Sequence, residues 1–82
     1  MTKESIKEEM AICNSILGKF KEEMQECKQD YDVLKSLYDK EANNPNFKKA
    51  YLKVKERYDD ITLSVKLVRN RLSELEEALA NN

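Results

Sequence analysis

The sequence predicts an all-α protein: an antiparallel two-helix hairpin of coiled-coil type, associating with a second copy into a four-helix bundle. Three observations predict it. Two apolar stripes step along the chain by alternating threes and fours without a skip, a single Asn-Asn-Pro-Asn segment separates them, and glycine and proline together occupy only two of 82 positions. Apolar residues spaced on average 3.5 apart keep one face of a helix turned toward a partner helix along its whole length. Charged residues make up 38% of the chain, which invites a disordered reading. The strict apolar period argues against disorder, because a disordered segment has no face to bury.

Helix 1 is expected over about 3–42. Its stripe is Ile6, Met10, Cys13, Leu17, Phe20, Met24, Cys27, Tyr31, Leu34 and Tyr38. Thr2 or Ser5 offers an oxygen for the first free amide groups, and Glu4, Glu8 and Glu9 suit the positive end of the helix dipole. Gly18 is the one flaw. It costs about 1 kcal/mol relative to alanine in a helix interior, and as it lies off the stripe it reads as a tolerated surface glycine.

Residues 43–46 form the turn. Asn44 fits as N-cap and Pro45 as first residue of helix 2, where a missing N–H does no harm. Proline also biases the residue before it away from helical backbone, so helix 1 must stop ahead of Asn44. Helix 2 is expected over about 45–80, with the stripe Phe47, Tyr51, Val54, Tyr58, Ile61, Val65, Val68, Leu72, Leu75 and Leu79. So short a turn folds the second helix back on the first, making residues 1–82 a single domain. With the turn as midpoint, Tyr38 is level with Phe47, Phe20 with Val65, and Ile6 with Leu79. Aromatic residues then gather toward the turn and aliphatic ones toward the open end.

The two edges of the hairpin differ. With Met10 and Tyr51 placed at position a of the heptad, the e positions are Lys7, Asn14, Lys21, Lys28 and Lys35 on helix 1. On helix 2 they are Lys48, Lys55, Thr62, Arg69 and Glu76. This edge is basic, with Lys21, Lys28, Lys35, Lys48 and Lys55 as its candidate contact residues for an acidic partner. The g positions and the c positions outside them carry Ile12, Ile16, Val33 and Leu37 on helix 1 and Leu67 on helix 2, with Leu63 just past the corner. A lone two-helix coil needs apolar residues only at a and d. The additional aliphatics widen the stripe to that of a core-facing helix in a larger bundle. These six residues are the candidate interaction edge. Asp30 and Arg57 are the opposite charges expected to meet along it.

Composition limits the chemistry. Net charge is −1, so no whole-molecule field draws nucleic acid or anionic lipid, and neither is expected as a partner. The basic edge lacks the interleaved exposed aromatics that stack on bases, and Asp32, Asp39 and Asp59 lie one row out. An ordinary solvated face is the plainer account of it. No apolar run reaches the ~18 residues of a membrane span, and the first residues show no signal-peptide pattern, so a cytoplasmic location is expected. Histidine is absent and there are two cysteines. Cys13 and Cys27 lie ~21 Å apart on one helix, beyond disulfide reach, and both fall on the stripe as small hydrophobes. No metal site, cofactor or catalytic constellation is expected, and the chain reads as non-enzymatic.

The function that follows is a small protein–protein interaction module, an adaptor, chaperone or regulatory subunit working through helix faces. Its partners are itself, as a homodimer, and a larger protein. The turn Asn44-Pro45, with Tyr51 six residues beyond the proline, resembles the turn of type III secretion needle subunits over about ten residues. The length and hairpin shape are also similar to those of the WXG-type secreted hairpins, whose Trp-x-Gly turn is replaced here by Asn44-Pro45-Asn46. Either resemblance implies a secreted or polymerising building block as the alternative function. A phage-encoded inhibitor that caps a host protein is a further alternative of the same shape.

Overall fold

The computed structural model describes residues 2–81. It contains α1, Lys3–Lys40, and α2, Pro45–Ala80, packed antiparallel as an extended hairpin measuring 59 × 15 × 13 Å. The chain therefore doubles back at its one proline, and each helix runs most of the length of the molecule.

The ends of the helices follow from local chemistry. The Thr2 hydroxyl accepts a hydrogen bond from the Ser5 amide at 3.1 Å, while the Ser5 hydroxyl donates to the Thr2 carbonyl at 3.0 Å. Of the two residues proposed to start α1, Thr2 is thus the cap. Asn44 caps α2, its side-chain oxygen accepting from the Asn46 amide at 3.0 Å, and Pro45 takes the first helical position.

α1 ends at Lys40, two residues short of the expected Ala42. Glu41 leaves helical backbone (φ −129°, ψ 60°) while its amide still bonds the Leu37 carbonyl at 2.9 Å. The Asn44 amide then reaches back to the Glu41 carbonyl at 2.9 Å, closing a four-residue turn. The reversal occupies residues 41–44 because Pro45 already opens α2, with Asn44 held in extended backbone (φ −83°, ψ 110°) as its cap.

All twenty stripe residues are buried or half-buried. Ile6, Cys13 and Leu75 form one core cluster, with Met10, Val68, Leu72, Ala78 and Leu79 packed around them. Cys27, Ile61 and Val65 form a second, flanked by Leu17, Phe20, Met24, Val54 and Tyr58. Both cysteines are free and buried, and Cys27 points its thiol at the Val54 carbonyl, 3.5 Å away. A β-carbon at Gly18 would meet nothing within 4 Å, so no other backbone approaches there.

Toward the turn the core is a tyrosine ladder. Tyr38 stacks on Tyr51 (ring centres 5.4 Å apart, 7° between planes), and Tyr31 lies 5.3 Å from Tyr51 and 6.3 Å from Tyr58. Tyr31 and Tyr51 are bonded through their hydroxyls at 3.1 Å. The two phenols thus satisfy each other at the margin of the stripe, a partnership that heptad labels do not reveal.

Candidate interaction surface

The g and c positions of a helix already committed to one seam point away from it, and their exposure depends on whether another element covers them. Here none does. Ile12, Val33 and Leu67 are 60% exposed, Leu63 57%, and Ile16 and Leu37 36%. All six residues singled out in the sequence stand open to solvent. They fall into two groups: Ile12, Ile16, Leu63 and Leu67 toward the open end, and Val33 and Leu37 toward the turn.

A seventh large aliphatic, Leu52, is 50% exposed and was not anticipated. It occupies a b position, outside the basic edge, and lines a shallow groove with Pro45, Asn46, Lys48 and Lys49. Its signal was available in the sequence as an apolar residue at an outer heptad position. It stands eleven residues before Leu63 along α2.

Charge is organised on the same side as the six aliphatics. Arg71 Nε donates to Glu9 Oε1 at 2.8 Å and Nη2 donates to Glu9 Oε2 at 3.0 Å, a two-pronged bond between g positions of the two helices. Arg71 Nη1 also donates to Glu74 Oε2 at 3.0 Å. The hydrogen bond from Arg71, reinforced by its charge, holds the Glu9 carboxyl below the usual carboxylate range, and Glu9 and Glu74 together raise Arg71. The expected meeting of Asp30 with Arg57 does not form; among the described residues the ion pairs are those of Arg71. Two parallel N–H···O bonds give an arginine–carboxylate pair a geometric match that a distant single pair lacks.

On the opposite edge, Lys21, Lys28, Lys35, Lys48 and Lys55 are all exposed. Shallow open grooves run along it. One, of about 330 Å³, is lined by Lys21, Met24, Lys66 and Arg69 among others, and another, of about 220 Å³, by Lys28, Tyr31, Lys55 and Asp59. The ionisable groups of the first groove are all basic, Lys21, Lys66 and Arg69, whereas in the second Asp32 and Asp59 stand beside Lys28 and Lys55. Among the described residues no cluster of side chains is arranged to hold a metal ion, and no helix is long and apolar enough to cross a membrane. Comparison with known protein families, characterised proteins and solved structures finds no match for this chain.

Proposed function

We propose that this protein is a non-catalytic interaction module, a helical hairpin that presents its outer helix faces to protein partners and associates with itself into a four-helix bundle. The observation that carries the reading is the exposure of six large aliphatics on one side of a fold whose a and d positions already supply its core. Aliphatic surface grouped on one face marks a contact site more often than does the same number of residues scattered singly. Marginal size supports the same reading, since burial in a two-helix core only roughly offsets the ordering cost of so short a chain. A second buried edge supplies the missing stabilisation, and a two-fold dimer is the simplest way to cover identical surfaces. A larger protein offering an apolar helix groove would use the same face, which is how an adaptor, chaperone or regulatory subunit of this shape would work.

The test is the mass in solution. The wild type is expected to be dimeric by light scattering, and the double variant Ile16→Glu with Leu67→Glu monomeric and less stable. A monomeric wild type, or a dimer whose mass survives both substitutions, rejects the reading. A mass that grows without limit with concentration would instead assign an open polymer.

A further inference from the structure

The outer face of α1 is a second seam. Its g and c positions step by alternating fours and threes from Glu9 to Lys40, as the a and d positions do, so a second helix can lie along it. In an antiparallel pair each g layer faces a c layer of the partner. Only one register makes this stripe match its own copy. With the two-fold axis crossing between Met24 and Gln25, Ile12 meets the copy's Leu37, Ile16 meets its Val33, and Lys19 meets its Asp30. Glu9 and Lys40, at the ends, are opposite in charge as well, although Glu9 is already engaged by Arg71. Glu23 against Glu26, nearest the axis, is the single like-charged layer.

The neighbouring registers and the α1-on-α2 arrangement fail on the same residues. Sliding the copies by one heptad places Ile12 on Asp30 and Ile16 on Glu26 in one direction, or Leu37 on Lys19 and Val33 on Glu23 in the other. Laying α1 on the copy's α2 with the turns together keeps Ile16 on Leu67 but sets Ile12 against Arg71, Leu37 against Asn46, and Glu23 against Asp60. Like charges and buried unpaired charges facing apolar groups are what exclude wrong partners and registers.

We infer that the occupant of this face is a second copy of the chain, packed α1 on α1 antiparallel about an axis at residues 24–25, with the two turns at opposite ends. This rests on the self-association proposed above and deepens it by fixing orientation and register: the four aliphatics on α1 form the matched layers, while Leu63 and Leu67 on α2 lie outside them. A keto-reactive spin label on an unnatural residue replacing Asp39, which is exposed and off the stripe, reads the arrangement in the full chain. Pulsed dipolar spectroscopy should give a label separation of about 45 Å, from 29 residues of rise plus one interhelix spacing. The turn-together dimer would give less than about 25 Å on the same geometry, and that result would overturn the register while leaving self-association standing. Absence of dipolar modulation with a monomeric mass would overturn both.

A charge swap checks the register independently. Lys19→Glu should weaken dimerisation several-fold by facing Asp30 of the copy, and adding Asp30→Lys should restore it. Both sites are exposed, so circular dichroism is expected to show the hairpin intact in each variant. A double variant no tighter than the single one would refute the pairing.

Discussion

The open end and the turn end of this hairpin are built differently. At the open end, Ile6 and Leu75 are each only 1% exposed, surrounded by further aliphatics, and Arg71 ties Glu9 across the outside. Between Cys27 and Ile61, the stretch that includes the turn, no described residue is fully buried, and the helices meet through half-buried tyrosines. The covalent turn accounts for the contrast. Residues next to a four-residue connection are held close at little further entropic cost, whereas the far ends must be closed by their own contacts across the whole length of the chain. Tight aliphatic packing is therefore concentrated where connectivity helps least.

The largest break in this contrast comes from Leu75→Ala. Removing a fully buried leucine costs about 2–5 kcal/mol, a large part of the stability of a domain of this size. Leu34→Ala, at a half-buried stripe position toward the turn, should cost distinctly less. Urea unfolding followed by far-ultraviolet circular dichroism compares the two. Equal losses would show that the ends are equivalent after all.

Much of this division was legible from residue spacing. Every a and d residue of the two stripes is at least half-buried, because a 3.5-residue period leaves a helix one face to hide and antiparallel pairing supplies one place to hide it. The capping by Asn44 and Pro45, and the open exposure of Ile12, Ile16, Val33, Leu37, Leu63 and Leu67, were equally readable. What spacing did not convey was set by reach and competition among side chains. Arg71 is long enough to bond Glu9, five residues beyond its own level on the facing helix, so opposite charges at facing g positions identify candidates, not pairs. Asp30 and Arg57 were such candidates and do not pair. The turn closes two residues earlier than expected, at 41–44, because Asn44 and Pro45 already belong to the start of α2.

A smaller effect tests the Glu9–Arg71 tie at the open end. The Glu9 carboxyl is held below its ordinary range by the hydrogen bond and charge of Arg71. A carboxyl whose folded pKa is depressed stabilises the fold above its unfolded pKa, and that contribution disappears as pH falls through the folded value. Thermal melts should therefore show Glu9→Gln destabilised at neutral pH, with the gap to wild type closing as the medium is acidified below the usual carboxylate range. The tie is modest, since both groups are partly exposed and screened by solvent. A gap that stayed constant across that range would mean the glutamate acts through packing of its stem and not its charge.

The smallest effect belongs to the turn end and isolates one hydroxyl. Tyr51 ionises above the ordinary tyrosine range, chiefly because its hydroxyl is hydrogen-bonded to that of Tyr31 and then because it is partly buried; Lys55 and Lys35 oppose the shift. A raised folded pKa stabilises the fold fully below the unfolded value and loses its contribution as pH rises through the folded one, so this bond matters at neutral pH and lapses in alkali. Tyr31→Phe keeps the ring beside Tyr51 and removes only the oxygen. Alkaline titration of tyrosinate absorbance should then show the elevated transition moving down toward the ordinary range, with little change in the urea midpoint. If the transition stays high, burial and not the phenol pair governs Tyr51. The tyrosine ladder would then resemble the aliphatic end in its physics, since both would be held by removal from water.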